Sequence, residues 1–173
     1  AEPKIDGHRS LFLGGAYGQE RILSREGAAQ GMAAHCLPAL RQLQDRFGEA
    51  MMFDGEFTVP GGLKETLRAH RRNKPAMTGT FWLFDAMPLR LWERGGTDQP
   101  LWDRKNRIAH VFGDAGICRS VGRVLDFKMD AEQALMLARG MWRNGFEGIV
   151  VKDRAAGYVR GRSNNFLKLK QGN

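Results

Sequence analysis

The chain has 173 residues, 42% of them hydrophobic, enough for one well-packed domain and unlike the composition of a disordered chain. Its 27 Lys and Arg exceed 19 Asp and Glu, for a formal net charge of +8. That surplus suits a polyanionic partner, nucleic acid or nucleotide, and equally a merely soluble basic protein. Cys36 and Cys118 stand far apart without a second pair, which excludes a four-ligand zinc cluster and argues against a disulfide framework; both are expected as buried thiols. No apolar run approaches the ~20 residues that span a bilayer and no signal-peptide pattern opens the chain, so a soluble, cytoplasmic protein is expected. The first residue is not methionine, and a piece trimmed from a longer protein is expected.

The opening stretch, Glu2-Pro3-Lys4-Ile5-Asp6-Gly7-His8-Arg9, sets a lysine, a carboxylate and an arginine around a turn glycine. An attacking lysine must be neutral, and neighbouring cations push an ammonium that way. Asp6 could bind a metal or orient the amine, and Arg9 could hold a phosphate or ribose oxygen. Taken alone, the same string suits a solvated strand end and turn. Ser10–Leu13 is predicted as a strand with a hairpin return over 20–25, leaving Arg25 of Ser24-Arg25-Glu26-Gly27 at a strand end. There it could hold a ribose or phosphate, or simply be exposed.

From Ala28 to Phe47 the apolar residues Met32, Leu37, Leu40, Leu43 and Phe47 predict a core-facing helix that Pro38 breaks or restarts. Met51–Val59 alternates as a strand with Asp54 and Glu56 on one face, where they meet water, a cation, a nucleotide or a neighbouring lysine. The stretch Gly62–Lys74 predicts a short basic helix carrying Lys64, suited to phosphates or to solvent. Thr80–Met87 predicts a strand buried on both faces, one of whose aromatics could stack on a base. Leu101–Gly116 predicts an amphipathic helix with Arg104, Lys105 and Arg107 outside. A strand is expected over 119–129. Asp130 with Gln133 then caps a helix that buries Leu137 and Met141 and stops at Gly145. Glu147 stands at the mouth of the β-branched strand that follows, where a carboxylate can hold a metal. In Asn165–Lys170, strand alternation puts Lys168 and Lys170 on one face, suited to an anion such as a triphosphate. No repeat or linker divides the chain.

In order, K-I-D-G-H-R, S-R-E-G, F-D-G-E-F, F-W-L-F-D, E-G-I-V-V-K and L-K-L-K resemble the nucleotidyltransferase motifs of ATP-dependent DNA ligases, particularly the small phage and bacterial kind. The resemblance covers nearly the whole chain, 1–173, and implies an adenylation domain that lacks its C-terminal OB-fold domain. The implied fold is α+β, of the ligase and capping-enzyme type, with antiparallel sheets face to face around a nucleotide cleft and helices outside. It implies Lys4 as the residue adenylated by ATP, Glu2 at the adenine amino group with Pro3 beside it, and Arg9 and Arg25 at the ribose and later at the nick. Asp6 would serve nick joining, Glu56 the ribose, Phe84 one face of adenine and Val150 the other. Glu147 would be the metal-associated glutamate, with Glu56 as a second metal candidate, while Lys168 and Lys170 would hold the α-phosphate. ATP, an AMP intermediate and Mg²⁺ are the implied cofactors. Nicked DNA, contacted by Arg9, Arg25, Lys64 and Arg162, is the implied partner of a monomer in a bacterial or virus-infected cell. RNA ligases and capping guanylyltransferases share the lysine chemistry, and a nick-binding module without catalysis is a third possibility. The NAD-dependent ligases fit less well.

Overall fold

The computed structural model describes residues 1–113, 120–161 and 163–172. Strand β1 (Glu2–Pro3) leads through Gly7, where a Cβ would collide with the Phe57 carbonyl, into β2 (His8–Leu13) and the hairpin partner β3 (Arg21–Ser24). The predicted helix over 28–47 is divided: a 3₁₀ segment, Gly31–Cys36, precedes α1 (Leu37–Phe47), with Pro38 in the first turn and Gly48 ending it in a left-handed conformation. Proline restarts the helix because its missing N–H is one that a first turn leaves unpaired.

Then come β4 (Met51–Thr58), the basic helix α2 (Leu63–Arg72), β5 (Thr80–Pro88), α3 (Leu89–Glu93), β6 (Gly96–Thr97), α4 (Leu101–Phe112) and β7 (Val121–Arg123). The strand expected over 119–129 is thus three residues long. The chain closes with α5 (Ala131–Arg143), β8 (Gly148–Lys152), β9 (Tyr158–Val159) and β10 (Phe166–Lys170). Asp130 and Gln133 form the anticipated capping box of α5; Ala134 and Ala138 are its buried residues, with Leu137 and Met141 half-buried beside them.

Three sheets result, ordered β3-β2-β4-β5-β7, β1-β8-β10 and β6-β9. All their pairings are antiparallel, as expected, except β5 with β7 at one edge of the five-stranded sheet. The outer face of the five-stranded sheet packs Phe12, Phe53, Phe57, Phe81 and Leu83 against Leu40, Leu43 and Phe47 of α1 and Ile108 and Phe112 of α4. Ile149 of the three-stranded sheet packs on Ala134 and Ala138 of α5. The helices therefore cover the outside of both sheets, and their polar inner faces line a cleft between them.

Strand β5 is not buried on both faces along its length. Phe81 and Leu83 are buried while Trp82 and Phe84 are partly open, because Phe84's side of the strand faces the cleft. Cys36 is buried, and Cys118 lies outside the described residues. Among the described residues, no helix is long and apolar enough to cross a membrane.

Candidate active site

Pairing of β1 and β10 on either side of β8 brings the two ends of the sequence together. Lys4 N–H donates to the Gly148 carbonyl at 3.0 Å, and Lys170 lies opposite Gly148 in the register. Only glycine fits at 148, where φ is +149° and a Cβ would meet the Leu169 carbonyl. The neighbouring Glu147 thereby receives both lysines: Lys4 Nζ lies 2.5 Å from Oε2 and Lys170 Nζ 3.2 Å from Oε1. Burial acts to raise the Glu147 carboxyl, but the two ammonium groups outweigh it and hold it below its ordinary range. Burial, and next the Glu147 charge, push the Asp6 carboxyl upward. Cationic crowding falls on Lys168, which burial and then Lys4, Lys170, Arg25 and Arg9 push down. Lys4 and Lys170 instead share one carboxylate, that of Glu147. Among the described residues, Lys168 and Arg25 have no carboxylate partner.

A cleft of about 790 Å³ opens beside this cluster, lined by Glu2, Pro3, Lys4, Arg9 and Arg25 from the N-terminal strands and by Val150 and Lys168 from β8 and β10. Glu56 and Phe84 line it from β4 and β5. The register explains why Asp85 joins Phe84 there: Asp54 pairs with Asp85 and Gly55 with Leu83, so Phe84 is the extra residue of a bulge. A bulge breaks strict alternation, and both Phe84 and Asp85 turn into the cleft. Lys152 Nζ lies 4.3 Å from the centre of the Phe84 ring and the Arg9 guanidinium 5.2 Å from it. Glu56 accepts from the Gly7 N–H, and burial pushes its carboxyl up to about 7 against the pull of Arg9 and Lys4.

Asp54 shares the cleft-facing side of β4 with Glu56 but is fully buried, and its partner is an arginine rather than a lysine. Arg9 forms a bidentate ion pair with it, and the Tyr158 hydroxyl donates to Oδ2 at 2.7 Å. Tyr158 is a site residue that sequence reasoning did not identify.

The expectation that Arg104 and Lys105 lie outside is overturned. They are 4% and 5% exposed. Arg104 donates Nε and Nη2 to the two carboxylate oxygens of Asp85 at 2.8 and 3.0 Å. Lys105 Nζ donates to Glu2 Oε2 at 2.7 Å, and Lys152 reaches Glu2 Oε1 at 2.5 Å. The physical reason is position: Leu101, Arg104, Lys105, Ile108 and Phe112 occupy one helical face at i, i+3, i+4, i+7 and i+11. The two cations sit where that face passes behind the cleft, opposite buried carboxylates. Their place in the apolar period was the available signal.

One expected residue is not brought to the cleft. Lys64 is exposed on α2 and does not line it, and Arg162 lies outside the described residues. No group of three or more Asp, Glu, His or Cys able to hold a metal occurs among the described residues. The adjacent Glu147 and Asp6 nevertheless suit Mg²⁺, which takes one or two carboxylates and completes its shell with water and substrate phosphates.

Residues 1–170 match the family model described as ATP dependent DNA ligase domain. A DNA ligase of Methanothermobacter thermautotrophicus is 33% identical over 94 residues, covering 53% of this chain and 16% of that protein. The solved structure named Pmar-Lig_Pre superposes with a TM-score of 0.84 at 18% identity over 98% of this chain and 41% of its own. The ATP-dependent DNA ligase from bacteriophage T7, in complex with ATP, gives 0.80 at 20% identity over 99% and 61%. The chain thus spans under two thirds of each relative, and the structural likenesses establish the nucleotidyltransferase fold. With the family model matched from the first residue to the last lysine of the cleft, the chain belongs to the ATP-dependent DNA ligase domain family.

Proposed function

We propose that this chain is the adenylation domain of an ATP-dependent DNA ligase, working as a monomer in the cytoplasm beside a C-terminal OB-fold domain. The observation that carries the proposal is the convergence on one cleft edge of Lys4 and Lys170 on Glu147, with Lys168 and Arg25 left as unpaired cations among the described residues. Such a set can hold a triphosphate and present an amine to it.

Adenine enters between Phe84 and Val150, with Glu2 accepting from its amino group. The ribose hydroxyls meet Glu56, which near pH 7 can both donate and accept. Lys4 Nζ attacks the α-phosphorus; the N–P bond forms, the bond to the bridging oxygen breaks, and pyrophosphate leaves toward Lys168 and Lys170. The amine must shed a proton, and Glu147 at 2.5 Å is the acceptor in reach. A 5′-phosphate oxygen at a DNA nick then displaces Lys4 from the AMP phosphorus. Finally the 3′-hydroxyl attacks the 5′-phosphorus and AMP departs, with Asp6, Arg9 and Arg25 at the reacting strand and Lys64 and Arg162 on flanking phosphates. Mg²⁺ held by Glu147, with Asp6 or Glu56 near it, would neutralise phosphate charge and compete with Lys4 for the carboxylate. Each step is alignment and charge neutralisation, which suits a cleft of lysines, arginines and acids.

The test is incubation with ATP labelled at the α-phosphate and Mg²⁺, followed by denaturing electrophoresis and mass spectrometry. Native protein is expected to carry one AMP on Lys4 and Lys4→Ala none. An unlabelled native chain, still unlabelled when joined to an OB-fold domain, would overturn the proposal in favour of a nick-binding module. Transfer to nicked RNA duplex, or labelling by GTP, would assign an RNA ligase or capping-type enzyme instead.

A further inference from the structure

We infer that Lys105 is a positioning residue for base selection: from behind the cleft it fixes the Glu2 carboxylate so that one oxygen faces the purine's exocyclic amino group. The inference rests on the proposed placement of adenine beside Glu2 and Phe84, and adds a residue that makes no contact with the nucleotide.

The geometry divides the two Glu2 oxygens between unlike partners. Oε2 receives Lys105, whose side chain is 5% exposed and comes from α4, 103 residues away in sequence. Oε1 receives Lys152, whose side chain is 17% exposed and whose ammonium stands over the Phe84 ring. A base stacking on Phe84 must take the place that Lys152 occupies over the ring. Lys152 then withdraws from Oε1, and that oxygen becomes the acceptor facing the base edge. Lys105 has no such role to vacate. It lies behind the cleft in a buried setting, and burial pushes its ammonium downward, as expected for a cation removed from water. A buried carboxylate stripped of its cation is costly, so Lys105 and Glu2 hold each other in place.

Selection follows from the direction of the hydrogen bond. Adenine offers an N–H donor at the position where guanine offers a carbonyl oxygen, so an oriented carboxylate accepts from one and repels the other. The contrast is sharp only while the carboxylate is fixed. Without Lys105, Glu2 keeps Lys152 as its one counter-charge and turns toward it, losing both its aim and its availability.

The experiment compares Lys105→Met, which keeps the aliphatic stem and removes the charge, with native protein, Lys105→Arg, Glu2→Gln and the Glu2→Gln/Lys105→Met pair. Equilibrium binding of ATP and GTP is measured alongside Lys4 labelling, with thermal melting as a control for folding. Lys105→Met is expected to weaken ATP binding about tenfold, the loss associated with one charge-assisted hydrogen bond, and to lower the ATP-to-GTP preference by a similar factor. The labelling rate at saturating ATP should stay near native, Lys105→Arg should restore much of the preference, and Lys105→Met should add little once Glu2 is already Gln. An unchanged preference in folded Lys105→Met overturns the inference, as does an equal effect in the Glu2→Gln background. Should Lys105→Met fail to fold, Lys105→Gln, which removes the charge but keeps a polar side chain, carries the test, and an ATP-to-GTP preference identical to native in that variant sinks the inference. Because base preference is read by binding, a chain that binds ATP selectively but does not label Lys4 would defeat the proposed catalysis while leaving this inference standing.

Discussion

Arg104→Ala tests whether one buried ion pair supports the wall of the cleft. Arg104 and Asp85 are 4% and 5% exposed, and their two hydrogen bonds join α4 to β5. Arg104 Nη1 also donates to the carbonyls of Gln99 and Ala156, the second at 3.2 Å, which anchors the turn leading to Tyr158. Truncation leaves Asp85 with the Ala86 N–H at 2.9 Å as the donor still on it. Removing one partner of a buried pair costs about 3–5 kcal/mol, and the surviving bond offsets about 1 kcal/mol. The expected loss is therefore about 3 kcal/mol, a large fraction of the 5–15 kcal/mol that ordinarily stabilises a domain. With a urea slope of about 2 kcal/mol/M, the unfolding midpoint should fall by about 1.5 M at unchanged slope. Asp85→Ala added to Arg104→Ala removes the stranded carboxylate, so the pair should cost at least about 1 kcal/mol less than the sum of the singles. A loss under 1 kcal/mol for Arg104→Ala, or strict additivity, would refute the assignment of this wall to the ion pair.

Glu56 supplies a test in pH. Its folded carboxyl titrates at about 7, above the ordinary range, so folding retains a proton that the unfolded chain loses near pH 4.5. The stabilisation is fully present below that value and is lost as pH rises through 7, about 2–3 kcal/mol in all. Glu56→Gln should match native stability near pH 4.5 and exceed it at pH 8 by that order in urea unfolding; a gap that does not change with pH would falsify the shift. Tyr158→Phe removes the 2.7 Å bond to Asp54 while Arg9 stays in place, and should cost about 1–2 kcal/mol. The loss should shrink when Asp54 is already Ala, and an undiminished loss there would assign Tyr158's contribution to packing.

The residues that were legible in the sequence are those whose own neighbourhood carries the signal. Period two placed Lys168 with Lys170 and Asp54 with Glu56, and the capping residues placed the start of α5. What was not legible depends on partners distant in the chain. Asp85 reached the cleft face beside Phe84 through a bulge that appears only in the pairing of β4 with β5. Tyr158 belongs to a two-residue strand, and its partner Asp54 lies 104 residues earlier. Lys105 and Arg104 look like a solvated helix face until Glu2 and Asp85 are brought against them.

That division has a chemical cause. Arg9, Lys4, Lys170 and Lys152 each hold a carboxylate, of Asp54, Glu147 or Glu2, so a nucleotide meets cations already held in place rather than a diffuse positive field. The carboxylates are themselves held from behind, Asp54 by Tyr158 and Glu2 by Lys105. Holding a buried acid requires a buried donor, and on α4 that requirement overrides the rule that charges face water. A charged residue falling at an apolar position of a helical period is therefore a signal of its own: Lys105, four residues beyond Leu101 and three before Ile108, marks where α4 passes behind a site carboxylate.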